Sequence, residues 1–399
     1  MRILWVKPGG LWPPNTGGRL RSLNMIKELA REHHVTVLTT RSKDEEVAPL
    51  FRSLSSCEHV QVYDHSPPKR SSARFLWALG RSWFSRSPVD IRRHTVPNMK
   101  REAARQINSG GVDLCIADFL YAMPNIEQTA SVPVVLFEHN VEYMIWERMA
   151  NVEQSRIKRI LLEIEWRKIR LFESESCRTV NLTIAVSKND CNVLKGISPS
   201  ARITYVPTGV DLDYFMPLNM SEDDNELVFF GSMDWHPNED AIMHFLDTTF
   251  PLVRNVIPKA NLTVVGRNPS VALMARAERG KVKITGTVED IREYVAGASV
   301  CIVPLRIGSG TRLKIMEALA MGKAVVSTTI GAEGLALTAN HHIALADEPQ
   351  EFANEVIRLM RDRERRKSLG DEGRRLVAER YSWRQVTGNF MDKCNEVIA

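Results

Sequence analysis

Two sets of residues in this chain have types and spacing that could do chemistry. The first is Gly308-Ser309-Gly310-Thr311, which follows an apolar run at 300–304 and opens an apolar-periodic stretch. A glycine loop at a helix start presents free backbone N–H groups at the positive end of the helix dipole. That arrangement holds an anion, typically phosphate. The loop lacks the lysine of a Walker A motif and is not GxGxxG, so taken alone it is equally compatible with a tight turn whose glycines serve geometry only. The second set lies in the first half. Gly17 and Gly18 stand just before the first helical stretch, and the apolar runs at 114–117 and 132–137 end in Asp118 and in Glu138-His139-Asn140. A histidine at the carboxyl end of a parallel strand is well placed for chemistry, although a lone histidine is more often structural.

The elements that must position these residues follow from periodicity. Residues 3–6 read as a buried strand, 19–31 as a helix with Leu20, Leu23, Ile26, Leu29 and Ala30 at helical spacing, and 35–39 as the next strand. The chain therefore opens βαβ. Residues 141–180 read as one long charged helical stretch, and Ser187 as the cap of a helix that follows a strand at 184–186. Residues 217–226 are polar and acidic, as a linker should be. The pattern then restarts. Strands expected at 227–230, 262–265 and 282–285 each end in glycine, at Gly231, Gly266 and Gly286. Residues 300–304, the glycine loop, a helix at 311–321 and a strand at 324–327 form a further βαβ unit, with Gly322 at the C′ position. Helical patterns at 352–359, 361–380 and 381–398 close the chain. The expectation is two doubly wound α/β domains, each with a glycine-marked ligand edge.

Length and composition agree. A chain of 399 residues exceeds one ordinary core, and 44% hydrophobic with 25% charged residues is a globular composition. No run of 18 or more apolar residues suggests a membrane span, and the first residues lack the apolar core of a signal peptide. Six scattered cysteines with no CxxC pair fit a reducing compartment and argue against zinc. The net charge of +5 is uneven: residues 1–205 hold 30 Lys+Arg against 21 Asp+Glu. Residues 66–106 mix Phe75, Trp77, Trp83 and Phe84 with Arg70, Arg74, Arg81, Arg86, Arg92 and Arg93. That mixture suggests contact with an anionic membrane surface through residues 70–93, or a helix bordering an acceptor pocket. Nucleic acid is disfavoured because no recognised binding module accompanies the charge.

Several longer stretches carry a resemblance. PPNTGGRLRS, EHNVEYMIWER, LTIAVSKND, VPTGVDLDYF, LVFFGSMDWHPNEDA, GTVEDIREYVAGASVCIVPL and GSGTRLKIMEALAMGKAVVST with GAEGL occur in this order over nearly the whole chain. The order resembles the retaining family 4 glycosyltransferases of the GT-B fold, in their exopolysaccharide-associated branch. The resemblance implies an N-terminal acceptor domain over 1–215, a nucleotide-sugar domain over 216–380, two Rossmann-like domains facing a central cleft, and a C-terminal helix (381–399) returning to the first domain. It also implies roles. Glu317 matches the glutamate that holds the donor ribose; the plainer reading is an i,i+3 pair with Lys314. Gly308, Ser309, Gly310 and Thr311 would receive the diphosphate, and Thr287 and Val288 would meet the base through the backbone. Gly17 and Gly18 would approach the diphosphate or the acceptor, with Gly231, Ser232 and Arg267 on the donor side. His139, with Asp118, would position the sugar or acceptor.

Two departures stand out. Ser309 replaces a family glutamate eight residues before Glu317. Ser232 and Asn238 fall near the places of an arginine and a lysine, so no cation stands there in the sequence. The leaving nucleotide needs its growing charge stabilised, and Arg312 or Arg306 is expected to do so, with Lys314 a weaker candidate. The implied donor is a UDP- or GDP-sugar and the implied acceptor a glycan or a lipid-linked one. Neither metal nor cofactor is implied, and the location is cytoplasmic, peripheral on the inner face of the cell membrane. The alternatives are a sugar-nucleotide 2-epimerase on the same scaffold and a catalytically degenerate binding protein. An NAD oxidoreductase is disfavoured because the first βα turn lacks GxGxxG.

Overall fold

The computed structural model describes residues 1–14, 16–66, 87–127, 132–153, 155–280, 282–307 and 313–398. They form two units, Met1–Pro207 with Val386–Ala399, and Thr208–Gln385.

In the first unit the chain runs β1 (Arg2–Lys7), α1 (Gly17–Leu29), β2 (His34–Arg41), α2 (Ala48–Ser53), β3 (His59–Asp64), α3 (Val89–Arg92), α4 (Pro97–Asn108), β4 (Leu114–Asp118), β5 (Val134–Phe137), α5 (Glu142–Val152), α6 (Arg156–Thr179), β6 (Leu182–Ala185), α7 (Lys188–Ile197) and β7 (Ile203–Tyr205). The sheet is parallel, in the order β3-β2-β1-β4-β5-β6-β7. Its central strands are apolar between their ends because helices cover both faces, and Ile3 to Val6 and Leu114 to Ala117 are fully buried. Thr16 starts α1 by accepting a bond from the Arg19 N–H (3.4 Å). Ser187 starts α7 by accepting from the Asp190 N–H (3.0 Å), as its sequence position predicts.

The long helix expected over 141–180 is instead two helices, α5 and α6. The backbone is extended at Glu153 (φ −71°, ψ 125°). The cause is tertiary. Glu173, late in α6, turns its carboxylate onto the start of α5 and accepts from the Glu142 and Tyr143 N–H groups at 2.8 and 3.1 Å. It caps a helix 31 residues upstream.

The second unit runs β8 (Asp223–Phe230), α8 (His236–His244), α9 (Phe250–Val256), β9 (Asn261–Val265), α10 (Val271–Gly280), β10 (Lys283–Ile284), α11 (Arg292–Gly297), β11 (Ala298–Val303), α12 (Leu313–Ala320), β12 (Val325–Ser327), β13 (Ala344–Leu345), α13 (Pro349–Arg361) and α14 (Arg363–Arg380). Its sheet has the order β10-β9-β8-β11-β12-β13. The strand expected from 227 begins earlier, at Asp223, so part of the acidic linker is strand. Thr263 of β9 donates its hydroxyl proton to Glu226 (2.6 Å), which gives that polar end a partner. Gly322 ends α12 at φ +71°, a conformation that favours glycine.

The last helix, α15 (Trp383–Ile398), completes the first unit. Phe390 is fully buried, with its ring centroid 5.1 Å from Phe137 and 6.2 Å from Trp5. Thr387 meets Met25 of α1.

Candidate active site

Strand order reverses once in each sheet, between β1 and β4 in the first and between β8 and β11 in the second. At such a switch point neighbouring loops diverge and leave a crevice at the carboxyl edge. Several of the predicted residues lie at these two edges.

In the first unit Lys7 ends β1, Asp118 ends β4, and His139 lies two residues past β5. All three are buried. Trp5 donates its indole N–H to Asp118 Oδ2 at 2.7 Å. Lys7 Nζ lies 3.7 Å from Asp118 Oδ1. His139 Nε2 is 2.8 Å from the same oxygen, off the line of an ideal hydrogen bond. Phe119 stacks on the imidazole at 3.9 Å and 13°, and the Lys7 ammonium sits 3.6 Å from the Phe119 centroid. Phe119 therefore contacts both His139 and Lys7. Phe119 adopts φ 72°, ψ 156°, a region that is otherwise almost confined to glycine. Gly18 allows this arrangement, since a Cβ there would come within 2.5 Å of the Phe119 ring. Sequence-predicted Gly18, Asp118 and His139 thus converge, and Gly17 opens α1 beside them.

Burial sets the charge states here. It pushes the His139 imidazole down to about 3 against the pull of Asp118, so the ring is neutral at physiological pH. With Nε2 facing the Asp118 carboxylate, the proton belongs on Nε2 and Nδ1 is left as an acceptor. Burial also lowers Lys7 to about 8, with Asp118 opposing. For Asp118 itself, burial alone would raise the carboxyl. Lys7, His139 and Ser22 outweigh it, and the group lies below its ordinary value. Arg21 of α1, also buried, is lowered to about 10 by burial, with Asp118 and Asp190 opposing.

In the second unit Gly231 (φ +149°) follows β8 and Gly266 follows β9. A Cβ on Gly266 would come within 1.8 Å of the Gly231 carbonyl oxygen, so this crossing requires glycine. Ser232 and Asn238 are not cations themselves, but each has a cation as its hydrogen-bond partner. Arg267 Nε donates to Ser232 Oγ at 2.8 Å, and Lys314 Nζ donates to Asn238 Oδ1 at 2.6 Å. Both cations come from other elements, Arg267 from the end of β9 and Lys314 from α12. Lys314 also lies 4.1 Å from the Phe229 centroid and close over Gly231. Asp234 gathers Arg267 (3.6 Å) and Asn268 (2.9 Å) on the same loop.

The remaining donor-side residues are placed as follows. Glu317 is half-buried on α12. Burial raises its carboxyl to about 7, and Lys314, one turn away, opposes the shift. Arg306 is paired with Asp240 at 2.7 Å. Thr287 is exposed after β10, and Val288 packs on the core beneath. Gly308, Ser309, Gly310, Thr311 and Arg312 lie outside the described residues. Sequence reasoning passed over Lys7, Trp5, Arg21 and Phe119. Lys7 had a usable signal, as a charge closing an apolar strand. Phe119 had none, because its importance lies in a backbone angle and two contacts.

Two family profiles match the chain. The profile described as Glycosyltransferase Family 4 matches residues 17–214, and that described as Glycosyl transferases group 1 matches residues 224–362. A Klebsiella pneumoniae protein described as an uncharacterized 44.6 kDa protein in the cps region is 21% identical over 96% of this chain and 97% of its own. The lipopolysaccharide 1,2-N-acetylglucosaminetransferase of Salmonella typhimurium is 24% identical over 49% of this chain and 57% of its own. Among solved structures, HepE of Anabaena, in complex with UDP and glucose, superposes with a TM-score of 0.64 at 16% identity, over 99% of each chain.

Proposed function

Because the chain belongs to the group 1, family 4 glycosyltransferases and has their GT-B fold, we propose that it moves a sugar from a UDP- or GDP-sugar to a glycan or lipid-linked acceptor, with retention, in cell-surface polysaccharide synthesis. The observation that carries the donor reading is the pair of cations, Arg267 after β9 and Lys314 of α12, bonded to Ser232 and Asn238 beyond the glycine-ended strand β8. An anionic diphosphate is the ligand such an edge suits. The kinship with a cps-region protein and a lipopolysaccharide transferase supports the acceptor class.

In this reading Glu317 accepts the ribose hydroxyls, and Thr287 and Val288 meet the base. Gly231, Ser232 and the 308–312 loop hold the diphosphate. Lys314, Arg267 and Arg312 stabilise its charge as the bond to the sugar breaks, whereas Arg306 is engaged by Asp240. The acceptor oxygen bonds to the anomeric carbon as the carbon–phosphate oxygen bond breaks on the same face, and the acceptor proton passes to the departing phosphate oxygen. His139, neutral and pointed by Asp118, accepts a hydrogen bond from a sugar hydroxyl and does not act as an acid. Gly17 and Gly18 let acceptor or diphosphate approach the start of α1. No step calls for a metal or cofactor, and a lipid-linked acceptor supports a site of action at the inner face of the cell membrane.

Calorimetric binding to a panel of UDP-, GDP-, ADP- and TDP-sugars tests this, with Glu317→Ala and Lys314→Ala alongside. One donor binding well, and markedly more weakly to both variants, is expected. Product NMR should then show the donor's anomeric configuration retained. A folded protein that binds no donor overturns the reading, as does a product that is only an epimerised donor. Arg312→Ala should lose turnover while remaining folded. Full activity in that variant removes Arg312 from the mechanism.

A further inference from the structure

We propose that the Lys7 ammonium is a positioning group: acting through Asp118, it keeps Nδ1 of His139 free of a proton and so able to accept a substrate hydroxyl. Lys7 and Asp118 end neighbouring parallel strands, one step past the Val6–Ala117 pair. Thr39 Oγ1 donates to the Lys7 carbonyl at 2.9 Å and fixes that strand end. The two side chains are 5% and 0% exposed. A buried ammonium is costly unless a charge faces it. An ion pair that merely closes two strand ends is the plainer account, but the protons at Asp118 argue for more.

Asp118 Oδ2 accepts the Trp5 indole N–H at 2.7 Å. An indole only donates, so that oxygen is committed as an acceptor. Oδ1 faces Lys7 Nζ at 3.7 Å and His139 Nε2 at 2.8 Å. With Asp118 ionised, Nε2–H points at Oδ1 and Nδ1 is bare. Nδ1 has no hydrogen-bond partner among the described residues. If the Asp118–His139 pair gains a proton, that vacancy is lost. A proton on Oδ1 donates to Nε2 and sends the ring proton to Nδ1, and a proton on the ring occupies Nδ1 directly. An ammonium beside Oδ1 opposes both outcomes, because it only donates and its charge repels a further proton.

The surrounding charges leave this task to Lys7. Burial raises the Asp118 carboxyl; of the groups that pull it down Lys7 is the largest, ahead of His139 and Ser22 of α1. Arg21 of α1 divides its charge between Asp118 and Asp190 of α7, while Lys7 itself feels Arg19 of α1 and Glu142 of α5. Burial lowers Lys7 to about 8, so it is charged over the acid and neutral range, where a buried carboxyl would otherwise take a proton. Removing the cation raises the carboxyl, and the pair then gains its proton as pH falls. Above that midpoint Asp118 is ionised with or without Lys7.

Long-range ¹H–¹⁵N spectra of the full chain with labelled histidine show which ring nitrogen carries the proton, and His139→Gln identifies the signal. In the parent Nδ1 of His139 should stay bare from about pH 5 to about pH 9. In Lys7→Met it should gain a proton as pH falls. Transfer should then drop about tenfold per pH unit below the same midpoint and match the parent on the alkaline side. Lys7→Gln, neutral but of similar length and polar, should behave alike and serves if the methionine variant folds poorly. The rate arm rests on the transferase reading, whereas the spectra do not, so a parent that transfers no sugar defeats that reading and leaves the spectra to decide the role of Lys7. Nδ1 remaining bare in the variants down to about pH 5 overturns the inference, even if their unfolding temperature falls, and leaves Lys7 a structural ion pair. A loss of rate that is equal at every pH overturns it as well.

Discussion

His139 is held neutral by burial, between the ring of Phe119 and the carboxylate of Asp118. A group depressed to about 3 cannot produce a titration limb near neutrality. The transfer rate between about pH 5 and pH 8 should show no His139 ionisation, while His139→Ala should lower the rate about a hundredfold. Initial rates across that range for parent and variant check both statements. Glu317 behaves in the opposite sense. Its carboxyl is raised to about 7, so the stability it contributes is complete below its unfolded value of about 4.3 and is lost as pH rises through about 7. Glu317→Gln removes that loss. In the absence of donor the variant should match the parent near pH 4 and exceed it above about pH 8 by up to about 3.7 kcal/mol, less what solvent screening at this half-buried site removes, as read by denaturant unfolding. Equal pH dependence would show that Glu317 is not desolvated in the folded protein. The types and positions of His139, Asp118 and Glu317 were legible in the sequence. Their charge states were not, because those depend on which atoms exclude water.

At the scale of elements, glycine marked the strand ends well. Gly231 and Gly266 lie where β8 and β9 turn toward the same crevice, and their backbones cross too closely for any side chain. Gly266→Ala should therefore cost about 3 kcal/mol or more and weaken donor binding with it, as measured by unfolding and calorimetry. Phe119 offers a sharper test. Its positive φ stores strain of about 1–3 kcal/mol. Phe119→Gly should be more stable than Phe119→Ala by about 1 kcal/mol, the reverse of the usual order, because only glycine is at ease at that angle. Alanine proving the more stable would mean the loop relaxes once the ring is gone. The break between α5 and α6 shows where periodicity fails. Both helices are amphipathic and charged, and their joint is decided by Glu173 reaching back to cap Glu142 and Tyr143.

At the scale of the whole chain, the first unit is not finished when its own sequence ends. Phe390 of α15 fills the space against Trp5 and Phe137, and Trp5 in turn holds Asp118. Phe390→Ala should cost about 3–5 kcal/mol. It should also lower transfer by loosening Asp118, whereas a bulky apolar replacement such as Phe390→Leu should restore most of both. A fragment ending at Pro207 should unfold at a lower temperature than the same fragment carrying residues 386–399, as followed by circular dichroism. Equal midpoints would show that α15 contributes nothing to that unit.

The sequence by itself determined two parallel α/β units, the glycines that end their strands, and a family signature spread along most of the chain. These are written in local patterns: apolar runs, helical spacing, and glycine where a backbone must turn or approach closely. The tertiary structure alone decided which charges meet at those edges. Ser232 and Asn238 looked bare of cations, yet Arg267 and Lys314 arrive from 35 and 76 residues away. Lys7 and Phe119 joined His139 only when β1 and β4 became neighbours. Electrostatic partners act through distance and desolvation, and neither is a property of position along the chain.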